Sequence, residues 1–152
     1  MKDLVIRIID YIDYNLYAKI TMDELSRVFY FNKDYIMRAF KKELGITIID
    51  YITKRKIYNS LKQLETTKDL ILKVAISHGY SSQEYYTESF QKVLGVNPLT
   101  YRKFTKPNTS ISFEEISIIR KNLTDLKYQL NKIDEYKSSI PKETKKVLSL
   151  YK

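Results

Sequence analysis

Apolar residues recur at helical spacing along almost the whole chain. Leu4, Val5, Ile8, Ile9, Ile12 and Leu16 mark a first amphipathic helix. A short second helix begins at Thr21, where Thr-Met-Asp-Glu forms a capping box: the Thr21 hydroxyl accepts from a free backbone N–H, and Glu24 reaches back to cap another. Asn32 is the expected N-cap of a third helix that runs to about Leu44, and Gly45 stands where a helix leaves through positive φ. Only a few residues separate these two helices, so they must cross sharply. Thr47 then caps a longer helix carrying Ile48, Tyr51, Ile52, Ile57, Leu61 and Leu64, which ends near Thr66 and Thr67. The plan returns after it. Ile71 to Ser77 is a short helix, His78 and Gly79 make a turn, Ser82 caps a helix through Leu94, Gly95 stops it, and Asn97-Pro98 opens a final helical turn with proline at its first position.

The return is a repeat. Shifted by fifty residues, the stretch from Tyr30 to Tyr51 matches that from Tyr80 to Tyr101 at Tyr30/Tyr80, Tyr35/Tyr85, Phe40/Phe90, Lys42/Lys92, Leu44/Leu94, Gly45/Gly95 and Tyr51/Tyr101, with similar residues at Ile46/Val96 and Asp34/Glu84. One supersecondary unit is used twice, and two copies are too few for a solenoid. Pro107 and the polar run Asn108 to Ser110 mark a boundary. Beyond it Ile116, Ile119, Leu123, Leu126, Leu130 and Ile133 form a heptad a/d stripe. That stripe offers a homodimer through residues 116–133. The e positions Arg120 and Lys127 would face Asn122 and Gln129 at g, without complementary charge, so packing back on the domain or a hairpin with a closing segment is the rival. Pro141 ends this helix, and Thr144, Val147, Leu148 and Tyr151 suggest a short closing one.

The expected fold class is therefore all-α: two helix-turn-helix three-helix units joined by a long linker helix, plus a C-terminal heptad-patterned helix. The boundaries read from the sequence are a domain over 1–106, with a first unit at about 4–46, a linker at about 47–65 and a second unit at about 68–104, followed by a tail over 111–152.

Composition narrows the function. With 152 residues the chain can bury one good core or two small ones. Its 27 Lys and Arg against 18 Asp and Glu give +9, which favours a polyanionic partner such as nucleic acid or an anionic membrane surface. Cysteine is absent and His78 is the single histidine, so disulfides and thiolate metal sites are excluded and a histidine-based metal site or triad is implausible. No nucleophile with its base and no credible carboxylate pair is present, which argues against an enzyme, a cofactor or a metal. The polar start Met1-Lys2-Asp3 precedes an apolar stretch broken by Arg7 and Asp10, neither a secretion signal nor a membrane span, and the expected location is the cytoplasm. His78 reads as a turn or surface residue. Tyr35, Tyr85, Tyr51 and Tyr101 read as core or half-buried packing.

A short helix, a tight turn and a second helix with a polar outer face is the helix-turn-helix plan, whose second helix enters the DNA major groove. If Ile36, Ala39, Phe40 and Leu44 are buried, Lys33, Met37 and Lys41 form one exposed row, with Asp34 and Arg38 beside it. Arg38 can grip guanine O6 and N7, Met37 can touch a thymine methyl, and Lys33 and Lys41 can reach phosphates. For Arg38 the plainer alternative is a surface salt bridge with Asp34. In the second unit Tyr86, Ser89, Phe90 and Leu94 turn inward, which exposes Gln83, Thr87 and Gln91, with Glu84 and Glu88 alongside and Ser82 at the helix start. Lys54-Arg55-Lys56 reads either as an ordinary solvated face or, at Arg55, as a backbone or ion-pair contact.

These residues resemble the DNA-binding domain of AraC/XylS-type transcription regulators. The likeness rests on Phe40-Lys41-Lys42-Glu43-Leu44-Gly45, on Tyr51-Ile52-Thr53-Lys54-Arg55-Lys56, and above all on Val74-Ala75 through Gly79-Tyr80-Ser81-Ser82-Gln83, Phe90, Lys92, Gly95, Pro98 and Tyr101-Arg102. It covers roughly residues 4 to 104. The resemblance implies two recognition helices in successive major-groove segments of double-stranded DNA, and transcriptional control, usually activation through contact with RNA polymerase. Two departures stand out. Glu88 occupies a position where the family commonly has a basic residue, with Glu84 one turn before it; carboxylates accept from cytosine N4 but repel phosphates. The second is that many relatives carry a separate effector domain, for which this chain offers no evident home, leaving control to abundance or the tail. The competing expectation is a helical protein-interaction adaptor that has lost DNA reading and works through its C-terminal coiled coil.

Overall fold

The computed structural model describes residues 1–139, and the closing helix expected around Thr144 to Tyr151 lies outside them. Eight α-helices follow one another: α1 (Lys2–Tyr14), α2 (Met22–Phe29), α3 (Lys33–Leu44), α4 (Ile48–Thr66), α5 (Ile71–Ser77), α6 (Gln83–Leu94), α7 (Pro98–Phe104) and α8 (Phe113–Ser138). Among the described residues no strand is present, and no helix is long and apolar enough to cross a membrane.

The helix ends follow from side-chain chemistry. The N-cap oxygens of Thr21, Asn32, Thr47, Ser82 and Asn97 each accept from the backbone N–H three residues on, at 2.8–3.1 Å. Gly45 and Gly95 close α3 and α6 in the left-handed region, at φ 78° and 80°. The Thr21 capping box is only half made. Glu24 does not reach back to the cap; its carboxylate accepts the Tyr11 hydroxyl, a bond that, with burial, pushes the phenol up to about 12.

Two compact units result. The first comprises residues 1–52, that is α1, α2, α3 and the start of α4, together with residues 131–139. Its core is Ile8, Ile9, Ile12, Leu25, Phe29, Ile36, Phe40 and Tyr51, with the Phe40 and Tyr51 rings 6.0 Å apart. The Tyr51 hydroxyl donates to Asp13 at 2.6 Å. Lys137 on α8 pairs with Asp10 at 2.7 Å and Asp13 at 3.2 Å, and Tyr136 donates to Glu43 at 3.0 Å while packing on Ile6. The last turns of α8 therefore belong to this unit's core.

The second unit, residues 53–130, is built on a run of aromatic rings. Tyr80, Tyr86, Phe90, Tyr101 and Phe104 succeed one another at centroid separations of 5.2–6.0 Å, mostly edge-to-face. Tyr86 shares a hydrogen bond with Ser60 at 2.8 Å, which satisfies the one polar atom this ring carries inward. Ile119, Leu126 and Leu130 of α8 are buried here, and Ile133 is buried in the first unit. Most of the heptad stripe is thus buried within the chain.

Three expectations need correction. His78 stands in the turn after α5, as expected, but is buried there and not at the surface, its Nδ1–H donating to the Val74 carbonyl at 2.9 Å. Tyr85 is 53% exposed, packing edge-on against Tyr80. Lys54, Arg55 and Lys56 are half-buried and engaged, with the Lys56 ammonium 4.9 Å above the Tyr80 ring, so the run is no solvated face.

The two units also differ where the repeat looked uniform. Three residues join α2 to α3, but five join α5 to α6. Gly79 takes the left-handed conformation in the second turn, which lets Tyr80 fold in to 4% exposure; in the first turn Tyr30 itself is left-handed, at φ 60°, and stands out at 91%. A non-glycine residue there is strained and buries nothing in return. Replacing Tyr30 with Gly should raise unfolding stability by about 0.5–1 kcal/mol, read from the urea midpoint. The two stop glycines should separate in the same assay. A Cβ at Gly45 meets open space, whereas one at Gly95 falls 2.5 Å from Ile118 and 2.7 Å from Asn122 of α8. Gly45→Ala should cost about 1 kcal/mol from conformation alone. Gly95→Ala should cost roughly 1–3 kcal/mol more through overpacking; equal costs would mean that α8 gives way freely.

Candidate nucleic-acid interface

A recognition helix needs a rigid buried stripe so that its outer residues keep one direction. In α3 that stripe is Ile36, Ala39 and Phe40, all buried, while Leu44 is only half-buried. At about 100° per residue, burying 36 and 40 turns 34, 38 and 41 outward and puts 37 at the flank, while 33 lies on the side of 40 and is exposed at the helix start. Lys33, Asp34, Met37, Arg38 and Lys41 are accordingly all exposed, Met37 by 41%. The sequence-predicted row is assembled on one helix.

Its members are not electrostatically equal. The Lys33 ammonium lies 2.8 Å from Asp23 of α2. That hydrogen bond holds the Asp23 carboxyl below the usual carboxylate range and raises Lys33 in turn. Both groups stand in water, so the pair adds little stability, but Lys33 must share its charge with Asp23 before meeting a phosphate. Arg38 has no such competitor. The alternative pair with Asp34 is not formed, and among the described residues Arg38 joins no ion pair. Its five donors remain available for a planar acceptor.

Aromatic rings flank the start of α3. Phe31 stacks on Tyr35 with centroids 5.0 Å apart and planes 19° from parallel, and Tyr30 projects beside them. The Ser26 hydroxyl fixes this turn by donating to the Phe31 carbonyl at 2.6 Å. Sequence reasoning had not singled out Tyr30 or Phe31 as surface residues. The overlay of Tyr30 on buried Tyr80 pointed the other way, and no local signal reveals the shorter turn.

In α6 the stripe of Tyr86, Ser89, Phe90 and Leu94 is buried as expected. Gln83, Glu84, Glu88 and Gln91 are exposed, but Ser82 and Thr87 are half-buried. Ser82 spends its hydroxyl oxygen on the Tyr85 N–H at 3.1 Å, so its first duty is the cap. Gln83 and Thr87 border a small depression of about 140 Å³ together with Ile71, Pro98 and Leu99. The charge difference between the two helices is plain: α3 carries four basic and two acidic residues, α6 one basic and two acidic. One outer face attracts phosphate and the other repels it.

Comparison with known proteins agrees with this architecture. A family model described as a helix-turn-helix domain matches residues 25–103. The transcriptional activator AarP of Providencia stuartii is 27% identical over 99 residues, which cover 65% of this chain and 73% of AarP. The HTH-type regulator YbfP of Bacillus subtilis is 32% identical over 102 residues, 67% of this chain but only 35% of YbfP, so the chain spans about a third of that relative. Among solved structures, the C-terminal domain of AraT, a response regulator from Geobacillus stearothermophilus, is 27% identical and superposes with a TM-score of 0.63 over 72% of this chain and 93% of that domain. With the matched segment running through both turns and both polar-faced helices, the chain belongs to the AraC/XylS-type helix-turn-helix family of DNA-binding transcription regulators.

Proposed function

We propose that the chain is a sequence-specific regulator that reads two successive major-groove segments of double-stranded DNA, chiefly through its first unit, and activates transcription through contact with RNA polymerase. The observation that carries this reading is the exposed row of α3, on which Arg38 stands without a carboxylate partner between Met37 and Lys41. Arg38 is assigned to a guanine edge, Met37 to a thymine methyl, and Lys33 and Lys41 to phosphates. In α6, Gln83, Thr87 and Gln91 form the reading row, with Glu84 and Glu88 restricted to cytosine N4 donors. Activation is supported by the name of AarP, a transcriptional activator. The protein would act in the cytoplasm as a monomer on an asymmetric site, because a dimer through residues 116–133 would first have to expose Ile119, Leu126, Leu130 and Ile133.

A second reading, an interaction adaptor without DNA reading, draws on the acidic outer face of α6 and on the exposed Leu72 and Ile76 of α5. Selection from a random duplex pool at near-physiological salt separates the two. Two unlike elements about one helical turn apart, roughly 34 Å, are expected for tandem reading. The same motif twice at fixed spacing would indicate a dimer, and no enrichment would favour the adaptor. Arg38→Ala should then weaken specific binding by about 1–3 kcal/mol and relax preference at one base pair. Lys41→Ala should weaken all duplexes alike and flatten the salt dependence by about one phosphate contact. Unchanged selectivity in the Arg38 variant would remove that residue from the reading set.

A further inference from the structure

The second unit contains a cleft lined by none of the residues assigned to DNA reading. It measures about 550 Å³ and lies among α4, α7 and α8. That volume falls within the 300–1,000 Å³ typical of small-molecule sites. It coincides with a weaker point in the heptad stripe: Ile119 and Leu126 are fully buried, whereas Leu123 between them is half-buried and lines the cleft. Leu61 and the rings of Tyr58 and Tyr101 complete the apolar wall. Tyr101 is itself almost wholly buried, so its ring is a fixed surface.

The rim is charged. Lys62 of α4 and Lys127 of α8 line the opening and are exposed, and neither joins an ion pair among the described residues. The one carboxylate on the cleft, Glu65, already accepts the Tyr101 hydroxyl at 2.5 Å. Two ammonium groups against one engaged carboxylate leave a net positive rim over an apolar wall that includes two aromatic rings.

We infer that this cleft binds a small aromatic monocarboxylate, its ring held among Tyr58, Leu61, Tyr101 and Leu123 and its carboxylate met by Lys62 and Lys127. The inference does not depend on DNA reading, and its test contains no DNA. Isothermal titration of the full chain with 2-naphthoate should show saturable one-to-one binding. The Lys62→Ala/Lys127→Ala double variant, altered only at exposed positions, should bind at least tenfold more weakly with an unchanged circular dichroism spectrum. Uncharged 2-naphthamide should likewise bind at least tenfold more weakly than 2-naphthoate, and Lys92→Ala, an exposed lysine of the same unit that does not line the cleft, should bind as the parent does. Leu123→Phe, which adds bulk to the wall, should abolish binding in a folded protein. No saturable heat with 2-naphthoate, equal affinity for acid and amide, or unchanged affinity in the Lys62/Lys127 variant would overturn the assignment.

Discussion

Phe40 and Phe90 occupy the same place in the two units, and neither has any exposed surface. Burying one phenyl ring is worth about 1.5–3 kcal/mol, enough to fix the rotation of a twelve-residue helix about its own axis. Everything the outer faces display follows from that phase. With Phe40 inward, Arg38 and Lys41 point out; with Phe90 inward, Glu88 and Gln91 do. A turn of 100° would carry a carboxylate or a guanidinium into the core, where the cost of an unpaired charge far exceeds what a surface residue contributes. The caps add precision along the axis. Asn32 and Ser82 set the first residue, and Gly45 and Gly95 set the last, so position and rotation of each recognition helix are both determined by groups that never need to touch DNA.

The tail helix is the part whose energetic role is easiest to underestimate. In the first unit Lys137 meets Asp10 and Asp13, and Asp13 also accepts the Tyr51 hydroxyl, so one ammonium pairs with one buried and one half-buried carboxylate. Removing it would leave those carboxylates facing each other. In the second unit Asn122 donates to the Leu94 carbonyl at 3.0 Å, supplying an acceptor at the C-terminus of α6 with the partner that helix geometry denies it. Each recognition helix thus has one α8 side chain bonded to its C-terminal end, Tyr136 to Glu43 and Asn122 to Leu94. An apolar stripe with no charge code at its flanks is what such an internal role requires. A dimer needs complementary e and g residues to choose a partner, whereas a helix already tethered to its target does not.

How much of this was legible in the residues can be judged from particular cases. The caps at Thr21, Asn32, Thr47, Ser82 and Asn97 and the stops at Gly45 and Gly95 were readable because each is a local bond between residues at most four apart. The outward row of α3 was readable because burial of a 3.6-residue stripe leaves only one alternative face. What escaped was set by distance along the chain. Glu24 meets Tyr11 and not its own cap, and Lys56 meets Tyr80. The repeat itself misled at Tyr30. Two identical tyrosines at the same register ended at opposite extremes of exposure because the preceding turn is two residues shorter, and turn length is not encoded by the identities that align. The candidate site was legible as a face; its ion-pair economy, with Lys33 held by Asp23 and Arg38 left open, required coordinates.

The difference in charge between the two outer faces has a physical consequence for how the units would divide their work. Phosphate attraction is long-ranged and insensitive to sequence, so under the proposed reading a basic α3 would gather duplex before any base is read, over about a Debye length of 8–10 Å. An acidic α6 cannot join that encounter and gains only where a donor such as cytosine N4 offsets the repulsion of nearby phosphates. Its contribution to a wrong site is unfavourable, while at a right site it approaches neutral. A second helix of this kind sharpens discrimination without raising affinity, because what it changes is the penalty for error. On that argument Glu84 and Glu88 are compatible with the proposed tandem reading, in which one face would supply the binding and the other the refusal.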